Sequence, residues 1–251
     1  MWGTPIYESY EEWLDSPYAE AGVTCQDCHM SPNGDAYFAL PGVGGLAHPP
    51  ETIPSHLQPG ATSVALLRDT VSMTVSAQQV VGRLRVMVTI TNTGAGHHAP
   101  TDHPGRHILL VITATDALSQ PLAYRGSQVI PVWGGAQAGL PGKGFAKLLQ
   151  DARTGEWPVV SYWRQTLIVG DNRIPALGAD TSFYEFAVPG DGGPVTVVTE
   201  LRFRRTFQAV MDDKGWDTPD IVMIERVITS QTQPHWSLFL PLILASGPPL
   251  D

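Results

Sequence analysis

The middle of the chain alternates apolar and polar positions. In the stretch GRLRVMVTITN, residues 82–92, Leu84, Val86, Val88 and Ile90 fall on one face. Arg83, Arg85, Met87, Thr89 and Thr91 fall on the other. Period two over this length predicts a half-buried antiparallel strand. Further strands are read at 69–77, 107–116, 122–132, 159–169, 181–188, 194–207, 221–230 and 235–245, divided by turn signals such as PGDGGP. GFAKLLQD, residues 144–151, reads as a short helix. Many short strands at this spacing predict a mainly β fold, an Ig-like antiparallel β-sandwich.

The pattern before residue 63 differs. Over 5–20, Ile6, Tyr10, Trp13 and Leu14 recur at helical spacing, and Ser16-Pro17 ends the run. Residues 31–61 are rich in Gly and Pro and predict irregular chain; long ordered loops of this kind are usually functional. The expected organisation is therefore a helical and loop segment at 1–62 followed by a β-sandwich domain at 63–251.

Composition supports a turn-rich β protein: 16% of the 251 residues are charged, with 25 Gly and 22 Pro. The net charge of −9 leaves no basic footprint for nucleic acid. No apolar run reaches the length of a transmembrane helix; the nearest, WSLFLPLILASG at 236–247, is short and contains Pro241. It reads as a last sandwich strand or as a tail docking on a neighbouring subunit. The first residues show no signal peptide in this numbering, so an exported protein would have a leader that is removed or lies outside it.

Both cysteines lie in GVTCQDCHMSP, residues 22–32. Cys25, Cys28 and His29 form Cys-x-x-Cys-His, the attachment signature of c-type haem: two thioethers to the porphyrin and a histidine on the iron. Three other readings compete. A structural zinc site needs four protein ligands, and no second cysteine pair exists. A thioredoxin-like dithiol needs a βαβ setting. A Cys25–Cys28 disulfide would close a very small loop. Tyr10, Trp13, Tyr18, Tyr37 and Phe38 flank the motif and suit either an aromatic haem pocket or ordinary packing.

YESYEEWLDSPYAEAGVTCQDCHMSP, residues 7–32, resembles the segment around the last haem motif in a family of multihaem c-type cytochromes, where a β-sandwich follows. TITNTGAGHHAPTDHPGRHILLVI, residues 89–112, resembles that family's Asn-x-Gly-Ala-Gly-His-x-x-Pro-Thr-Gly turn, and GDNRIPALGADTSFYEF, residues 170–186, its Asp-Asn-Arg-Ile-x-Pro segment. Asp102 stands where the family usually has Gly, and one haem motif stands where relatives often have several. The resemblance implies one covalent haem c, redox partner proteins such as other cytochromes, and a place outside the cytoplasm: periplasm, extracellular space or outer cell surface.

With His29 as the proximal ligand, the distal candidates are His97, in the Gly-rich turn, and His56, in SHLQPG; His48 follows them. Met30 is too close to His29 to reach the opposite face. Met73, Met87, Met211 and Met223 lie in strand-like stretches and suit packing. Bis-histidine ligation favours a low-potential carrier, and an open face would allow ligand binding or catalysis. His97, His98, His103 and His107 with Asp102 could form a separate metal cluster, or line and tune the haem. Asp171, Asn172 and Asp180 carry oxygens of the kind calcium prefers, or form an Asx-type turn with Arg173 in an ion pair. No Ser-His-Asp order, phosphate loop or paired-carboxylate motif stands out. The reading is a mono-haem cytochrome for one-electron transfer, more a carrier than a catalyst. The alternatives are a structural subunit of an extracellular assembly, or a haem enzyme or sensor with an open distal face.

Overall fold

The computed structural model describes residues 4–80, 82–161, 163–189 and 193–230. Two antiparallel sheets face each other. One has the order β1 (Val71–Val80), β2 (Arg83–Asn92), β6 (Ala179–Ala187). The other runs β5 (Thr166–Asp171), β4 (Gly142–Asp151), β3 (His107–Thr115), β7 (Val195–Arg204), β8 (Ile221–Ser230). This is the β-sandwich that the alternation predicts.

The register explains the core. Leu84 pairs with Phe186 and Val86 with Tyr184, so the apolar face of β2 extends across β6. These side chains meet Ile108, Leu110, Ile112, Val197 and Leu201 of the second sheet in one buried cluster. The opposite face of the larger sheet is covered too. Leu109, Val111 and Ala146 pack under Ile130, Trp133 and Phe207. Strand β3 is thereby buried on both faces and reads as a continuous apolar run.

That second covering corrects the helix expected at 144–151. The stretch is β4, and its apolar residues no longer alternate because both faces are buried. Trp133 lies directly over Gly144, where a Cβ would come within 2.1 Å of the indole. Two strand expectations also fail. Residues 122–132 make only isolated bridges, at Tyr124 and Val129. There the Tyr124 hydroxyl donates to Gln128 O (2.9 Å) and folds the chain back around Gly126. Of 159–169, only the part from Thr166 is strand; Val159 makes a single bridge to Leu149. The expected strand at 235–245 lies outside the described residues.

The helix read over 5–20 is broken in two. Helix α1 (Ser9–Leu14) stops, and Ser16 caps α2 (Pro17–Glu20) by accepting from Tyr18 N–H, with Pro17 in the first turn where its missing donor costs nothing. Helix α3 spans Cys25–His29 and α4 spans Val64–Thr70, so the strand expected from 69 begins at Val71. Helix α5 (Gln208–Lys214) contains Met211, which is therefore helical. Residues 31–61 are irregular apart from 3-10 turns at Pro41–Val43 and Pro50–Thr52. The chain start is tied to β4: the buried Lys147 ammonium donates to Pro5 O (3.2 Å) and Ile6 O (3.4 Å) and pairs with Glu8.

His107 opens β3 and is fully buried, stacked on Phe207 (ring centres 5.0 Å apart) and edge-on to Trp133. Burial pushes its pKa down to about 4. In the unfolded chain His107 takes a proton near pH 6.5, while the fold resists it down to about pH 4. Its contribution is therefore complete above pH 6.5 and lost as pH falls through that window, by about 3 kcal/mol. His107→Phe, which keeps the stack, should reduce the acid-side slope of stability against pH by about one proton; denaturant unfolding from pH 7 to 4 measures it.

Candidate cofactor site

Helix α3 puts Cys25, Cys28 and His29 three and four residues apart, hence on one side of a helical turn. The turn is set locally. The Asp27 carboxylate accepts from Thr24 N–H (2.6 Å) and the Thr24 hydroxyl (2.8 Å), and both contacts lower its pKa. Cys25 and Cys28 are free thiols and exposed. His29 Nδ1 donates to Pro59 O (2.7 Å), so the other ring nitrogen, Nε2, is left to face inward. The irregular loop thus folds back onto the motif, as Ser55 N–H donating to Met30 O (3.1 Å) also shows.

Opposite stands the loop between β2 and β3. Asn92, fully buried, organises it: Nδ2 donates to His97 O (2.7 Å) and Ile174 O (3.1 Å), while Oδ1 accepts from Ala95 N–H (3.1 Å). Gly94 is required by a close approach, because a Cβ there would sit 2.0 Å from Asp69 O. Asp102 has φ of 70°, in the left-handed region that favours glycine and that Asp tolerates.

The two sides meet at the imidazoles. The His29 and His97 rings lie 6.3 Å apart, centre to centre, with planes 16° from parallel. His97 Nδ1 donates to His98 O (2.9 Å), the counterpart of the His29–Pro59 bond. In both rings a backbone carbonyl fixes the tautomer and orientation, as second-shell partners of metal-bound histidines do. Burial lowers the His97 pKa, so the ring is neutral at neutral pH with a free nitrogen lone pair. Imidazole nitrogens bond metals at about 2 Å and lie about 1.2 Å from the ring centre, so two rings sharing one ion have centres about 6.4 Å apart. The observed separation fits that arrangement.

Around the rings is a cavity of about 690 Å³, within the range of roughly 300–1,000 Å³ usual for ligand sites. Cys25, Cys28, Trp13, Leu67, Ile108 and Met223 are among its walls. The cavity has room, apolar walls, two cysteines and two imidazoles, a donor set that could hold a c-type haem through Cys25 and Cys28 with His29 and His97 on its iron. Haem therefore fits these residues.

The other candidates sit elsewhere. His56 is exposed and does not line the cavity; His48 packs edge-on to Phe38. SHLQPG reaches the site through Pro59 rather than through its histidine. Met73 is core, Met87 is exposed, and Met223 is both core and cavity wall. The four-histidine cluster does not assemble. His107 is buried under Trp133, and His103 Nδ1 accepts from Gly105 N–H (3.1 Å). The calcium candidates have other partners: Asp171 makes a two-point pair with Arg173, and Asp180 pairs with Lys143. Asn172 holds β4, bonding Ala146 N and Gly144 O. Among the described residues no group of three or more His, Cys, Asp or Glu could hold a metal ion.

Sequence reasoning overlooked Glu12. Its carboxylate pairs with Arg173 Nη1 at 2.6 Å, with both side chains about 95% buried. It also accepts from His98 N–H (3.1 Å) and the Thr101 hydroxyl. Burial alone would raise its pKa, but the Thr101 bond and the Arg173 charge outweigh it and the net shift is downward. The pair clamps α1 onto the loop that carries His97. Trp13 Nε1 donating to Val23 O (2.8 Å) and Tyr18 Oη donating to Thr93 O (3.0 Å) extend the clamp to the entry of α3.

No family model and no curated protein matches the sequence. Among solved structures, the chain is similar to a penta-haem cytochrome c552 from Thermochromatium tepidum, at 20% identity and a TM-score of 0.65. The match covers 90% of this chain and 52% of that one, so this chain spans about half its length. A PapD-like domain of human CEP192 aligns at 6% identity over 66% of this chain and 86% of the domain, with a TM-score of 0.25. The first likeness establishes the fold. Among the described residues, no helix is long and apolar enough to cross a membrane.

Arg173→Met should destabilise the protein by about 3–5 kcal/mol, because Glu12 is left buried without a counter-charge. Adding Glu12→Gln should recover part of that loss. A double-mutant cycle from urea unfolding midpoints measures both.

Proposed function

We propose that this chain is a c-type cytochrome module that transfers single electrons outside the cytoplasm. The observation that carries the reading is the parallel pair of His29 and His97 rings, each oriented by a backbone carbonyl, over the Cys-x-x-Cys-His helix. Cys25 and Cys28 would hold one haem through thioethers, and His29 and His97 would bind its iron. Residues 1–62 would carry the thioethers and His29, and the sandwich that follows would support them and supply His97.

The haem supplies a one-electron iron couple. The residues of this chain hold and orient it. Pro59 O and His98 O keep both imidazoles aimed inward, and Asn92 prevents the His97 loop from retreating. His29 closes helix α3 and His97 stands in the loop after β2, and backbone contacts pin both, so oxidation and reduction of a bound haem would meet little rearrangement. Two imidazole ligands favour a lower potential than a histidine–methionine pair. Thioether attachment of a haem would agree with a place in the periplasm, at the cell surface or beyond it.

The purified protein should be red and keep its colour in acid acetone, and its reduced form should not take up carbon monoxide. His97→Ala should open the iron to carbon monoxide, and His97→Met should raise the midpoint potential. His56→Ala should change neither spectrum nor potential. A reduced wild type that binds carbon monoxide readily, or a His97→Ala variant with an unchanged spectrum, would overturn the assignment.

A further inference from the structure

The charge of this protein is divided very unevenly along the chain. Residues 1–62 hold eight acidic residues and no Lys or Arg; the first cation is Arg68. The remaining residues hold 15 basic and 16 acidic side chains, so nearly all of the net −9 belongs to the first segment. Two of the eight are used internally, Glu8 by Lys147 and Glu12 by Arg173. Glu11, Asp15, Glu20, Asp27, Asp35 and Glu51 are exposed, and none forms an ion pair among the described residues.

The same segment carries an exposed apolar loop. Residues 36–48 close on themselves through His48 N–H donating to Ala36 O (2.9 Å), and the stretch between contains no charged side chain. Its Leu40, Val43 and Leu46 are 75, 78 and 76% exposed, and Phe38 is 65% exposed. A closed loop that turns large apolar side chains to water, on a segment of one charge sign, has the composition of an interface: an apolar centre with a polar, charged rim. Cys25 and Cys28 are exposed in the same segment, and the loop follows them by eight residues of chain.

We infer that residues 8–51 form the docking surface for a lysine- and arginine-rich redox protein, an inference that rests on the cytochrome reading of the same site. The charge selects the occupant. A second copy would bring an equal block of negative charge, and the rest of the chain, with 15 basic against 16 acidic residues, has no net positive charge to offset it. An anionic lipid surface is repelled for the same reason. A cationic protein is attracted and steered, and the apolar loop gives the complex its short-range contact.

The test is equilibrium binding by titration calorimetry, with lysine-rich mitochondrial cytochrome c as the basic probe and its lysine-acetylated form as control. The readout needs no electron transfer, so it stands even if the chain proves to hold no haem, an outcome that the spectrum reports separately. The native probe should bind at low salt and weaken at least about tenfold between roughly 10 and 150 mM ionic strength, while the acetylated probe should bind at least about tenfold more weakly. The combined Glu11→Gln, Asp15→Asn, Glu20→Gln and Glu51→Gln variant should lose most of that salt dependence with an unchanged haem spectrum. Leu40→Ser with Val43→Ser should weaken binding at every salt concentration. Glu225→Gln with Asp213→Asn, on the sandwich side, should leave binding as it is. Equal binding of native and acetylated probes, no effect of the four-site variant, self-association by sedimentation, or capture by anionic phosphatidylglycerol vesicles would each overturn the inference.

Discussion

The arrangement of the site depends on one buried ion pair. Arg173 leaves the turn after β5 and meets Glu12 of α1 where neither side chain reaches water. Burying two charges is expensive, and it is tolerated here because every strong valence is used. The guanidinium also engages both oxygens of Asp171, and the carboxylate also takes the His98 amide and the Thr101 hydroxyl. Three segments far apart in sequence are thereby fixed at one point: α1, the loop after β2 and the turn after β5. Such a pair adds little net stability over an apolar contact, but it tolerates few other alignments.

The sandwich makes that point rigid. Its core is filled from both sheets, and the larger sheet is covered again on its outer face by Trp133 and Phe207. Lys147, Asn172 and His107 lie on or beside this doubly covered sheet, and each ties the sheet to the chain around the cavity or supports the strand that leads from it. The irregular segment gains its order from this support rather than from regular hydrogen bonding of its own. Short helices such as α1, α2 and α3 would not persist in isolation.

How far the sequence could be read follows from where each determinant lies. The alternation of β2 survived into the structure because its outer face is wet; that of β4 did not, because Trp133 closes over it. The Cys25–His29 motif was legible because its spacing is contained within a few residues; the Thr24–Asp27 cap that shapes it into a helical turn became visible only in the structure. Arg173 was legible as an ion-paired residue, but only its nearer partner, Asp171, could be guessed from the text. Glu12 lies 161 residues away from it and carries no local sign of its role.

By itself the sequence determined a mainly β chain with a wet-faced strand at its centre, a helical and irregular segment before it, and a haem-type Cys-x-x-Cys-His motif in that segment. These follow from period, composition and short-range spacing, which act between near neighbours. Only the tertiary structure decided which histidine faces His29. His97 and His56 were both open on the sequence, since each lies in a loop with turn-forming residues. The choice is made by Asn92, by Ile174 O and by the Glu12–Arg173 pair, which hold the His97 loop across the cavity while His56 is left at the surface. Those contacts join residues separated by tens to well over a hundred positions, and a distance of that kind is a property of the folded core rather than of any stretch of chain.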